Sequence, residues 1–224
     1  MRVTTLLTAV AFCSVLSFQS FGQSGSDSFD DLPLSRQQNL LFYSRPLTLV
    51  ETKSLAKEVT HWDQMVIRTK DGLSFQVEGT FQISSGKVYV RIGKKVQYLL
   101  PELVEVFKYK EHQFYKLTAY FNDQMQQFYG DLISSGPISL YAKYTIKMGG
   151  DNPSFDKLLQ QANHLFFVQR KESKEARFLV STRKAILKSM PDQHSKMKAY
   201  LKKEKPSLNK RQDLQQLFDY YNQL

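Results

Sequence analysis

The sequence predicts an α+β fold: an antiparallel β-meander or curved sheet over residues 39–180, then three short C-terminal helices packed against one end of it. Three observations carry that prediction. From Met65 onward, apolar and polar residues alternate with period 2 in one segment after another, as in a sheet with one buried and one wet face. After Val180 the apolar spacing becomes helical. Aromatic residues are plentiful, 16 Phe and 12 Tyr, and only one cysteine is present, so a β-rich core has to hold by apolar burial without disulfides.

Residues 39–50 are apolar enough for a first strand. Leu55 and Val59 sit at helical spacing within residues 51–62, which favours a short helix there, or a strand if the sheet claims the segment. Residues 65–69 and 73–83 face each other across Asp71-Gly72, a hairpin turn whose residues both tolerate positive φ. Phe75, Val77, Phe81 and Ile83 share a face of the second strand, and Gly79 on that face marks a possible bulge. Ser85-Gly86 leads into a strand at 87–92, and Gly93-Lys94 into one at 95–99, broken by Pro101-Glu102. Residues 104–109, 113–120 and 126–133 follow as strands. The clearest alternation is at 138–147, with Ile138, Leu140, Ala142, Tyr144 and Ile146 on one face, ended by Gly149-Gly150-Asp151-Asn152-Pro153. Residues 165–168 and 178–180 complete the strands.

The helical region opens with Ile186, Leu187 and Met190 on one face. Ser189-Met190-Pro191-Asp192 resembles a capping box for a second helix, with Ser189 as N-cap and Met197, Tyr200 and Leu201 on its apolar face. Pro206 separates a third helix, for which Asn209 is the expected cap. Its Leu214, Leu217, Phe218 and Tyr221 are spaced i, i+3, i+4, i+7.

The N-terminus has the layout of a secretory signal peptide. Arg2 is followed by an apolar run at 6–18, and Ser20-Phe21-Gly22 offers small residues for cleavage before Gln23. The alternatives are a retained anchor and a lipoprotein signal at Cys13, though bulky Phe12 and the mid-run position of Cys13 fit the latter poorly. On this reading residues 1–22 leave, residues 23–38 form a flexible Ser/Asp/Gln-rich leader, residues 39–180 form the β-rich domain, and residues 181–224 form a basic helical region packed on the sheet. No second apolar run is long enough for a transmembrane helix. The expected location is the periplasm or outer cell envelope, or outside the cell. An outer-membrane barrel fits less well, because the strands are uneven and the chain ends in a helix.

The net charge of +10 is concentrated: residues 170–211 hold fourteen Lys or Arg against four acids, and the rest of the chain is balanced. An anion-binding tail would be made by Arg183, Lys184, Lys188, Lys196, Lys198, Lys202, Lys203, Lys205, Lys210 and Arg211. In an exported protein its partners would be an anionic envelope surface such as lipopolysaccharide phosphates, an acidic glycan or an acidic protein, and not nucleic acid. The plainer alternative is a solvated face that aids solubility.

Three stretches carry a resemblance: residues 93–107 (GKKVQYLLPELVEVF), residues 128–141 (FYGDLISSGPISLY) and residues 183–224, which close on Tyr-Tyr-Asn. Together they resemble a group of exported Bacteroidetes proteins with a β-rich body and a basic helical C-terminal tail. That resemblance implies the same architecture and an envelope location. It implies no activity and no functional residues.

Catalytic markers are sparse. Ser54/Lys57 has the Ser-x-x-Lys spacing of penicillin-recognising enzymes, but Ser154/Lys157, Ser181/Lys184, Ser195/Lys198 and Ser207/Lys210 repeat it and no Lys-Thr-Gly strand completes it. His61, His112, His164 and His194 lack metal-ligand spacing. Asp151-Asn152 lacks the further oxygens of a calcium loop. Gly-x-Ser-x-Gly, the phosphate loop and the dinucleotide fingerprint are absent from the sequence, and no cofactor is implied. Asp131, Glu102 and Glu105 are candidates for a carboxylate pair only as any acid is. The alternation Phe107-Lys108-Tyr109-Lys110 fits single-strand binding, and equally a sheet with one wet face. The leading expectation is a non-catalytic exported envelope protein with a binding or scaffolding role. The alternatives are a hydrolase acting on envelope glycans or lipids, and a subunit of an envelope assembly.

Overall fold

Among the described residues, eleven strands form one continuous sheet that curls back on itself at one end. The structure, a computed structural model, describes residues 39–58, 61–146 and 155–224. Segments 1–22 and 23–38, the turn at 149–153 and Ser154 lie outside the described residues, as do the side chains of Ser54 and Lys57. The strands are β1 (Ser44–Pro46), β2 (Asp63–Thr69), β3 (Ser74–Gln82), β4 (Lys87–Ile92), β5 (Lys95–Leu99), β6 (Val104–Tyr109), β7 (His112–Phe121), β8 (Gln124–Ser134), β9 (Ile138–Thr145), β10 (Asn163–Arg170) and β11 (Ala176–Phe178). The helices are α1 (Leu49–Glu58), α2 (Phe155–Gln161), α3 (Arg183–Ser189), α4 (His194–Glu204) and α5 (Arg211–Asn222), with a 3-10 turn at Pro191–Gln193. The expected α+β class, with a curved sheet and C-terminal helices, is what this arrangement shows. No described helix is long and apolar enough to cross a membrane.

Local chemistry explains the turns. Gly72 takes φ +85° in the β2–β3 hairpin, where Thr69 N–H bonds the Leu73 carbonyl at 2.9 Å. Asn122 and Asp123 take φ +51° and +60° between β7 and β8, a two-residue turn that tolerates positive φ in these side chains.

The sheet closes because β7 serves three neighbours. One edge pairs with β8 over residues 114–121. The other edge is divided: β6 takes residues 112–115, and β11 runs parallel along residues 119–120. Since β8 continues through β9, β10 and β11, the pairings return to β7 and make a five-stranded ring. Leu117, Ala119, Tyr141, Phe167 and Ala176 form its packed cluster, with Phe128 and Leu132 of β8 against them, so all five strands contribute. Space is short there. A Cβ on Gly130 would lie 2.6 Å from Leu117 Cδ1 and 3.2 Å from Tyr141 Cβ.

The larger core lies on the opposite face. Phe81, Phe107, Phe114 and Tyr129 form an aromatic cluster, with Phe107 and Phe114 stacked at 4.9 Å. The helices cover this face through Ile186 and Met190, Met197 and Leu201, and Leu214, Leu217, Phe218 and Tyr221. The helical spacing of that last set therefore marks burial, and α5 lies on β8 and β9.

Several local expectations are corrected. Residues 39–50 are not one strand: only Ser44–Pro46 pairs, and a helical turn precedes it. Helix α1 starts at Leu49 because Thr48 and Glu51 form a reciprocal capping box. Glu51 N–H donates to Thr48 Oγ1 at 3.2 Å, and Thr48 N–H donates to Glu51 Oε2 at 3.0 Å. Gly79 marks no bulge: the register runs through it, and a Cβ there would lie 3.0 Å from the Tyr89 carbonyl oxygen. The last strand is at Ala176–Phe178, not 178–180, because ring closure sets Ala176 against Ala119, two small residues that let the strands approach. Ser189 is no N-cap: it ends α3 and its hydroxyl donates to the Ile186 carbonyl at 2.7 Å. Asn209 caps nothing either. Lys210 occupies the α5 N-cap without a side-chain bond, and Asn209 Oδ1 accepts from the Ser207 hydroxyl at 2.7 Å. Helix α2 had no counterpart in the sequence reading.

Candidate functional site

Two groups of polar side chains stand out, one on the outside of the helical region and one beneath it. Arg183, Lys184, Lys188, Lys196, Lys198, Lys202, Lys203, Lys205 and Lys210 are all exposed. Met197 and Leu201 pin one side of α4 to the core, which turns Lys196, Lys198, Lys202 and Lys203 outward. Among these nine cations, the ion pair made with a described residue is Lys203 to its neighbour Glu204 at 3.1 Å, a fully surface contact.

The tenth member of the expected tail set behaves differently. Arg211, in the first turn of α5, donates from Nη2 to Asp131 Oδ2 at 3.1 Å. Asp131 is fully buried on β8. The same carboxylate oxygen accepts from His112 Nδ1 on β7 at 2.7 Å and from the Tyr144 hydroxyl on β9 at 2.5 Å. Cross-strand register explains the meeting: Asp131 lies opposite Phe114 and Ala142, each two residues from the partner that shares its face. Burial, and then the adjacent Asp131 carboxylate, raise the Tyr144 phenol far above its ordinary value, so it stays a proton donor. Asp131 Oδ1 and Arg211 Nε are buried and have no hydrogen-bond partner among the described residues. Phe155 of α2 lies edge-on to His112 at 5.9 Å. The cluster is therefore a roofed ionic joint between three strands and the last helix.

A second joint secures the other end of α5. Asn222 Nδ2 donates to Ser134 Oγ at 3.2 Å, to the Ser135 carbonyl at 3.3 Å and to the Ile138 carbonyl at 3.2 Å. Ser134 Oγ donates to Asp219 Oδ1 at 2.6 Å. A Cβ on Gly136 would lie 2.3 Å from Asn222 Cγ, so the β8–β9 turn admits the asparagine only because residue 136 is glycine. The SSGPIS turn and Asn222 of the Tyr-Tyr-Asn run are thus two halves of one latch. The Tyr221 hydroxyl adds a bond to Asp192 Oδ1 at 2.8 Å, and burial, then this carboxylate, push its pKa up to about 12.

The remaining sequence candidates are dispersed. His164 bonds the Leu159 carbonyl at 3.2 Å, and His194 is exposed at the start of α4. His61 lies beside β2 and also has an interaction partner. Among the described residues no group of three or more His, Cys, Asp or Glu could hold a metal ion. Glu105 pairs with Arg68 at 3.0 Å on the open surface, and Glu102 is exposed in a turn, so neither joins Asp131. Phe107 and Tyr109 are buried while Lys108 faces solvent, which is sheet alternation and not a stacking platform. Compared with known proteins, the chain matches no family model, no curated protein and no solved structure. Asp131, His112 and Arg211 each stand out in the sequence, but nothing in their spacing links them. Sequence reasoning misses Tyr144 as a polar partner and Asn222 as a latch.

Proposed function

We propose that this protein is exported to the cell envelope and binds an anionic surface there through α3 and α4, with no catalytic step. The observation that carries this reading is the set of outward cations of which, among the described residues, Lys203 alone has a carboxylate partner, held on helices whose apolar sides are buried. Cations presented on folded helices engage phosphate or carboxylate arrays without the further cost of ordering the backbone. The resemblance to exported Bacteroidetes proteins and the apolar N-terminal run support the location. Mass spectrometry of the protein from an envelope fraction should find Gln23 as the first residue. Retention of the purified protein on vesicles containing phosphatidylglycerol should fall steeply with salt. Replacing Lys196, Lys198, Lys202 and Lys203 by Gln should lower retention at least roughly tenfold. Equal retention of both proteins at every salt concentration would reject the surface.

A second reading, a subunit of an envelope assembly, is favoured by a different observation. Phe42, Leu49 and Val50 are each about three-quarters exposed, and Leu41 about half. Sedimentation of the protein with and without envelope extract, using Phe42→Ser and Val50→Ser as the comparison, tests it.

A further inference from the structure

We propose that a second, separate site takes a long-chain carboxylate: a cleft between α1 and β5, far along the sheet from the helical tail. The cleft has a volume of about 620 Å³ and opens to solvent, within the range of small-molecule sites. Its walls are mainly apolar: Leu47 after β1, Leu55 of α1, Trp62 before β2 and Val96 of β5. Trp62 is braced from behind, with the Arg91 guanidinium over its ring at 4.1 Å and Arg91 in turn bonded to Glu78 at 2.5 Å. The indole is thus held as a fixed wall.

Charge selects the ligand's head. Lys95 borders the cleft, is exposed, and makes no ion pair with a described residue. The nearby acid is already satisfied. Glu51 accepts from Arg45 at 2.8 Å, from Lys87 at 2.9 Å and from Thr48, so it neither neutralises Lys95 nor repels an incoming anion at full strength. Among the described residues that line it there is no carboxylate. An acyl chain lying against Trp62, Leu55 and Val96 with its carboxylate at Lys95 matches both properties, and a polar sugar would leave the apolar walls uncovered.

The chain contains a single tryptophan, so Trp62 reports on the cleft alone. The full mature protein is titrated with palmitate and with palmitate brominated along its chain, below micelle formation, while fluorescence is followed. Saturable quenching by the brominated acid, with at least tenfold weaker binding of the neutral methyl ester and of Lys95→Glu to its ligand, is expected. Leu55→Trp, which fills the cleft, should abolish competition between palmitate and a fluorescent fatty acid, and a circular dichroism spectrum matching the parent protein shows that it folds. The proposal is overturned if brominated palmitate does not quench, if the ester and the acid bind alike, or if quenching occurs only when brominated chains are presented in bilayers. Lys95→Glu is exposed and tests the head group without disturbing the core.

Discussion

Arg211 Nη2 meets Asp131 Oδ2 at 3.1 Å, so the first turn of the last described helix answers a carboxylate buried on the helix-covered face of β8. Removing Arg211 leaves the buried Asp131 carboxylate with His112 and Tyr144 alone. Arg211→Met is expected to cost about 3 kcal/mol, and Asp131→Leu a similar amount, in urea unfolding. The double variant should cost less than the two singles combined, and a fully additive pair would show that the contact carries no coupling.

Gly136 and Asn222 should be equally interdependent. Gly136→Ala pushes the asparagine out of its three bonds, at a cost of about 2 kcal/mol, or roughly 4 to 8 °C in melting temperature for a chain of this size. Asn222→Ala loses the same bonds. Adding Gly136→Ala to Asn222→Ala should then cost little more, since the side chain it would strike is gone. Thermal melts of the three variants decide this.

Glu51 sets the acid limb of stability. Hydrogen bonds from Arg45, and then from Thr48 and Lys87, hold its carboxyl far below the ordinary value of 4.5. A lowered folded-state pKa means that the unfolded chain binds more protons on acidification. The contribution is therefore complete above about pH 4.5 and declines as the pH falls below it. Glu51→Gln should lose ~1.5 kcal/mol at neutral pH and show a shallower decline in acid, read from urea midpoints across pH.

Tyr221 sets part of the alkaline limb, with the opposite sign. Its pKa rises from 10.0 to about 12, so the folded state holds the phenolic proton more tightly. The associated stability is complete below pH 10.0 and is lost as the pH rises towards 12. Tyr221→Phe should be less stable at neutral pH yet lose less between those limits. An unchanged alkaline slope would assign the loss to other tyrosines.

Period-2 alternation made the strands legible: the edges of β4, β5 and β6 fall at the residues where the pattern begins and ends. Caps were harder. Thr48 and Glu51 form a real capping box, while Ser189 and Asp192 only have its spacing. The difference lies in what precedes each. Pro46 ends β1 and frees Thr48 to start a helix, whereas Ser189 still belongs to α3. The Asp131 joint was invisible for another reason. Its members come from β7, β8, β9 and α5, and only the pairing register brings them together.

Ring closure also imposes an order of events on a chain that emerges N-terminus first. Strand β7 can pair with β6 and β8 early, but the edge segment at Ala119 and Tyr120 has no partner until Ala176 and Arg177 arrive. Until then those backbone groups stay open, and the slow long-range contact comes last. The latch at Gly136 waits longer still, for Asn222. A ribosome that stalls before Ala176 emerges would therefore hold an unclosed sheet, and one that stalls between Phe178 and Asn222 a closed ring without its latch.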